Sequence, residues 1–77
     1  MRVTCQFAIY PLGVEHLGPP LEAALAAVRK HRLEPAVGAM SSTVSGELET
    51  VMAALADAFK AAARGDCAMV ASISNAC

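Results

Sequence analysis

Three short polar clusters have residue types that fit recognition of a small molecule. They lie at residues 10–13 (YPLG), 40–46 (MSSTVSG) and 72–75 (SISN). Their hydroxyl and amide groups can each donate and accept hydrogen bonds. Such neutral groups among apolar walls suit a flat heteroaromatic ligand, which needs hydrogen bonds at its rim and apolar contacts on its faces. The alternative is ordinary solvated surface, since exposed Ser, Thr and Asn need no function to explain them.

The titratable residues form no recognisable catalytic pattern. His16 is predicted in a loop and His31 at a helix end, where its positive charge would compensate the helix dipole. The sequence contains no Ser-His-Asp order, HExxH, P-loop or paired-carboxylate spacing. Because a general acid or base needs a partner group, we predict no catalytic residue, no metal site and no bound cofactor.

The cysteines Cys5, Cys67 and Cys77 are odd in number, widely spaced and in no CxxC pair. A disulfide framework or a zinc site would show a different pattern. We interpret them as free thiols of a reducing compartment, with Cys5 and Cys67 packing as small apolar residues in strands. A hydrolase or transferase that uses one of these two thiols is a remote alternative, because neither has an evident base.

The first half of the chain predicts a strand followed by a helix. Apolar and polar residues alternate over residues 3–10, which is typical of a half-buried strand, and Pro11 ends it. A helix is predicted over residues 19–32, because two prolines suit its first turn and apolar residues recur at helical spacing. The basic residues at 29–32 suit its C-terminal end.

The second half predicts a hairpin, another helix and a last strand. Pro35 and the nearby glycine disfavour helix, so we predict short strands at 34–39 and 41–46, with the bend at 38–40. A helix with an acidic first turn follows, and Gly65 is its predicted C-cap. The segment CAMVASIS then forms an apolar strand.

The order βαββαβ predicts one domain over residues 1–77: an α+β ferredoxin-like sandwich, with a four-stranded antiparallel sheet and two helices on one face. In this topology the first strand is central, so Ser42, Ser72 and Ser74 should lie beside it on the sheet surface. No helix remains to cover the other sheet face. Since 56% of this short chain is hydrophobic, we expect a second copy to cover that face.

Composition excludes several classes of partner. The net charge is −1, there is no Trp, and no basic stripe is present, so nucleic-acid binding is not expected. The N-terminal segment lacks the apolar block and cleavage site of a signal peptide. No apolar run approaches the roughly 18 residues of a membrane span. We therefore expect a cytoplasmic protein with no membrane partner.

The stretches QFAIYPLG, VGAMSSTVSGE and SISNAC, in this order, resemble the YkoF-like family, which binds thiamine and its hydroxymethylpyrimidine moiety. The resemblance runs from about Gln6 to Cys77. It implies a ferredoxin-like domain that assembles through its sheets. It also implies ligand binding without turnover, in the supply or transport of thiamine precursors.

The resulting hypothesis is a non-enzymatic homo-oligomer, a dimer or tetramer, that binds thiamine or a pyrimidine precursor at a subunit interface. The predicted ligand-binding residues are Phe7, Tyr10, Ser41, Ser42, Ser74 and Asn75. Ser42 stands where the family suggests Thr, while Thr43 and Ser45 stand where longer, often basic residues are expected. The alternatives are an ACT-like metabolite-sensing regulatory domain and a purely structural assembly subunit.

Overall fold

The computed structural model describes residues 1–13 and 15–76, and these form a four-stranded sheet with two helices on one face. The strands are Arg2–Pro11 (β1), Ala36–Val37 (β2), Ser42–Glu47 (β3) and Cys67–Ser74 (β4), and the helices are Gly18–Arg29 (α1) and Leu48–Ala62 (α2). The sheet order is β2-β3-β1-β4, with all neighbours antiparallel. The predicted ferredoxin-like βαββαβ sandwich is confirmed.

The alternation along β1 divides the sheet into a covered and an uncovered face. Its helix-facing side chains, all buried, are Val3, Cys5, Phe7 and Ile9. Val28 of α1, Val44 of β3 and Val51 of α2 pack into the same core and are at most 2% exposed. The other face, here called the open face, carries Thr4, Gln6, Ala8 and Tyr10 of β1, Thr43 and Ser45 of β3, and Ala68, Val70, Ser72 and Ser74 of β4.

The β2–β3 hairpin differs from the predicted one, because β2 covers Ala36–Val37 and not residues 34–39. Pro35 has no N–H to give to a ladder. The N–H of Gly38 donates to the carbonyl of Ser41 at 2.8 Å and closes a two-residue turn. A Cβ atom at Gly38 would lie 2.9 Å from that carbonyl oxygen, so the close approach requires glycine.

Both helices end earlier than the sequence predicts. α1 stops at Arg29, because Arg32 adopts a left-handed backbone with φ 61° and donates its N–H to the Arg29 carbonyl at 3.0 Å. α2 is followed by Ala63 with an extended backbone, so Gly65 is not its C-cap. Local backbone geometry, rather than helix propensity, decides these ends.

Replacing Arg32 with Gly should raise the free energy of unfolding by about 0.5–1 kcal/mol. The left-handed backbone costs an L-residue about 1–2 kcal/mol and costs Gly almost nothing, and Gly loses part of this gain through its larger backbone entropy. Urea denaturation measures the change. Arg32→Ala is the control, because it removes the same charge and keeps the strain. Equal stabilisation by both variants would assign the effect to charge.

Candidate functional site

A cavity of about 180 Å³ lies between α1, the end of β1 and the β2–β3 hairpin. Phe7 and Ile9 of β1 form its floor, and Leu21, Ala24 and Leu25 of α1 form the facing wall. Since β2 is only two residues long, the hairpin turn closes this side. The hairpin thus supplies one wall of the cavity.

The walls of this cavity are mostly apolar, and its polar groups are neutral. Ser42 contributes a hydroxyl from the helix-covered side. Ser41 and Tyr10 also line the cavity, but the Ser41 hydroxyl is bonded to Gln6 of the open face, and the half-exposed Tyr10 side chain belongs to that face. None of the described residues that line the cavity carries a charge. A site of this kind selects for an uncharged ligand, because burying an unpaired charge is costly.

The cavity volume fits one ring. A dry cavity of about 150 Å³ holds a benzene molecule, whereas sites for whole drug-sized ligands occupy about 300–1,000 Å³. A volume of about 180 Å³ is therefore matched to a single six-membered ring with small substituents. A second ring would have to remain outside.

The structure brings four of the six predicted ligand-binding residues to this cavity: Phe7, Tyr10, Ser41 and Ser42. Phe7 and Ser42 face each other across β1 and β3 on the helix-covered side, and Phe7 is 3% exposed. The Ser41 hydroxyl accepts a hydrogen bond from Gln6 Nε2 at 2.7 Å. This bond fixes the Ser41 side chain at the point where the turn enters β3.

Ser74 and Asn75 lie away from the cavity. Ser74 is opposite Thr4 in the β1–β4 register, and its hydroxyl accepts the N–H of Ala76 at 3.0 Å. Asn75 Nδ2 lies 3.9 Å from the sulfur of Met1. Within one chain these two residues do not meet the other four predicted residues.

The prediction that Ser42, Ser72 and Ser74 share one sheet surface is wrong. Ser42 pairs with Phe7 and faces the helices, whereas Ser72 pairs with Gln6 and lies on the open face together with Ser74. The reason is the two-residue period of a strand: the register of each strand against β1 decides which face a hydroxyl occupies.

A second, shallower groove of about 320 Å³ lies on the open face. Thr4, Gln6, Ser72 and Ser74 supply neutral polar groups to it. Next to this groove, Thr4 and Ser45 bring their hydroxyl oxygens to 3.0 Å across β1 and β3. The groove is a hydroxyl-rich surface rather than an enclosed site.

Sequence reasoning missed the apolar walls of the cavity. The spacing of Leu21 and Leu25 identifies them as core residues of α1, but it does not show that they face a gap. Met40 also lines the cavity although it is 86% exposed. The sequence signal that could have identified Met40 was a large apolar side chain at a predicted turn.

The thiols and the histidine are not arranged for catalysis at the cavity. Burial raises the pKa of the Cys5 thiol, which favours its neutral form, and Cys67 is half-buried at the start of β4. His31 Nε2 lies 2.7 Å from Asp57 Oδ2, a contact between the turn after α1 and helix α2 that lies outside the cavity. The remaining cysteine, at position 77, lies outside the described residues.

Neither a metal centre nor a membrane-spanning helix is formed by residues 1–13 and 15–76. Within these ranges, no three His, Cys, Asp or Glu side chains come together in a way that could hold a metal ion. In the same part of the chain, neither helix has the length and apolar content needed to cross a bilayer.

The fold and the cavity define a small ferredoxin-like domain with a site for a small molecule. The model of the thiamine-binding protein family matches residues 5–74, so this chain belongs to that family. The resemblance to the YkoF-like thiamine-binding family is confirmed. Membership supports a role in small-molecule binding.

Solved structures of similar fold come from bacteria and archaea. A domain of unknown function from Bacillus cereus is 23% identical, with TM-score 0.83, and the match covers 95% of this chain and 74% of that one. A hypothetical protein from Methanocaldococcus jannascii is 19% identical, with TM-score 0.86 and coverage of 96% and 79%. A candidate thiamine biosynthesis or salvage protein from Thermotoga maritima is 24% identical, with TM-score 0.75 and coverage of 95% and 82%. No curated protein matches the chain.

Proposed function

We propose that this protein binds the pyrimidine ring of thiamine, or of its hydroxymethylpyrimidine precursor, in the cavity beneath α1 and without turnover. The observation that carries the proposal is an uncharged cavity of about 180 Å³ that combines apolar walls with the hydroxyl of Ser42. Membership of the thiamine-binding protein family supports the ligand class.

The chemistry of the ring matches the groups at the cavity. An aminopyrimidine offers ring nitrogens as acceptors and an exocyclic amine as donor, and the hydroxyl of Ser42 can answer either. Phe7 and Leu21 offer apolar contact to its faces. The cationic thiazolium of thiamine would stay outside, because no carboxylate is among the described residues of the cavity wall.

Ser74 and Asn75 remain predicted ligand contacts, and they reach the same ligand only if a neighbouring copy supplies them. Their side chains lie at the end of β4, near the N-terminal end of β1, whereas the cavity lies at its C-terminal end. The six predicted residues therefore form one site only in an assembly.

The proposed partner is a second copy of this chain, stacked on the open face. Between Thr4 and Tyr10 this face carries no charged side chain among the described residues, and Tyr10 and Val70 are 50% and 61% exposed. The four strands hold 10, 2, 6 and 8 residues. With strands about 4.8 Å apart and a rise of about 3.3 Å per residue, the face covers roughly 400 Å². Stacking two such faces would bury roughly 800 Å² in total, which is the size of a weak interface.

The binding proposal is tested by following the melting temperature of the protein with hydroxymethylpyrimidine, thiamine and a panel of amino acids. A ligand that binds only the folded state stabilises it, by about 2.7 kcal/mol at a concentration of 100 times Kd. We expect stabilisation by hydroxymethylpyrimidine and thiamine and none by amino acids, whose charged groups have no partners at the cavity. A shift with an amino acid alone would favour the regulatory alternative, and no shift with any compound the structural one.

A further inference from the structure

Met40 combines high exposure with a place at the cavity. It lies in the two-residue turn that the Gly38 N–H closes against the Ser41 carbonyl, so its backbone is held in position. The residue is 86% exposed and also lines the cavity. The thioether is therefore accessible to solvent-borne reagents and adjacent to the place of the ligand.

We propose that Met40 is an oxidation site, and that its sulfoxide weakens ligand binding at the cavity; the effect on binding rests on the proposed function. The oxidant is hydrogen peroxide. The thioether sulfur gives an electron pair to one peroxide oxygen, the O–O bond breaks, and the products are methionine sulfoxide and water. The reaction converts a flexible apolar side chain into a polar one and is reversed by methionine sulfoxide reductases.

The other methionines do not combine these two properties. Met1 and Met52 are 68% and 48% exposed but do not line the cavity, and Met69 is half-buried on the helix-covered side of the sheet. Oxidation follows exposure, so Met40 should react first. Among these methionines, Met40 alone is both highly exposed and part of the cavity lining.

The test compares binding of hydroxymethylpyrimidine by calorimetry before and after limited peroxide treatment, with dithiothreitol added afterwards to restore reversibly oxidised thiols. Peptide mass spectrometry identifies which methionine has gained one oxygen atom. We expect Met40 to oxidise before Met52 and Met69. Binding should become roughly tenfold weaker, because the polar sulfoxide replaces part of the apolar area that the ring covers. A sulfoxide reductase should restore the affinity.

Two variants separate Met40 from general damage. Met40→Leu keeps an apolar side chain and cannot be oxidised, so its binding should resist peroxide. Met52→Leu is the matched control and should lose affinity as the unmodified protein does. If the untreated protein binds no pyrimidine, the proposed function fails and the switch fails with it. If it binds, and Met40 sulfoxide forms without loss of affinity, the switch alone is refuted.

Discussion

Ala24→Leu should lower the affinity for hydroxymethylpyrimidine by at least about 100-fold and leave the protein folded. Ala24 lines the cavity on the α1 side and is 1% exposed. The larger side chain would occupy the volume that the ring needs, so the leucine and the ring could not both fit in the cavity. Ala24 also belongs to the hydrophobic core, and enlarging a residue in a well-packed core costs about 1–3 kcal/mol of stability. Calorimetry measures the affinity, and urea denaturation measures the stability.

Ala26→Leu is the matched control for this substitution. It makes the same change on the same helix, at an exposed position outside the cavity. Its affinity should equal that of the unmodified protein. If Ala24→Leu also binds normally while folded, the ligand does not occupy this cavity, and the open-face groove becomes the leading site.

The fold was predictable because its main signals are periodic. Val3, Cys5 and Phe7 alternate with polar neighbours, and the structure buries them as the alternation predicts. The element ends were less predictable, because they depend on single backbone geometries. The positive φ of Arg32 and the turn at Gly38 are local consequences of how the chain must reverse direction, and side-chain types alone do not specify them.

The candidate site was predictable in part. The residue types at Tyr10, Ser41 and Ser42 indicated a neutral polar site, and these three do line one cavity. The face of each hydroxyl could not be predicted, because shifting a strand by one residue reverses every side chain. The cavity wall that includes Leu21 could not be predicted either. An apolar stripe on a helix has the same sequence pattern whether it faces a filled core or a cavity.

Val70→Asp should convert the proposed dimer into a monomer. Val70 lies on the open face opposite Ala8 and is 61% exposed, so the substitution leaves the core of one chain intact. In a stacked pair of sheets, the same carboxylate would lose its water without gaining a partner, and burying an unpaired charge is strongly unfavourable. Sedimentation of the unmodified and substituted proteins at equal concentration measures the change in mass.

Met52→Asp is the control that separates an effect at the open face from a general effect of added charge. Met52 is also an exposed apolar residue, at 48%, but it lies on α2, on the other side of the sheet. Because this site is outside the proposed interface, the variant should sediment like the unmodified protein. A dimer that persists in Val70→Asp would place the interface elsewhere, and a monomeric unmodified protein would refute assembly through this face. In that second case Ser74 and Asn75 could not reach the cavity of a neighbouring copy, so the ligand would be held by the groups of one chain.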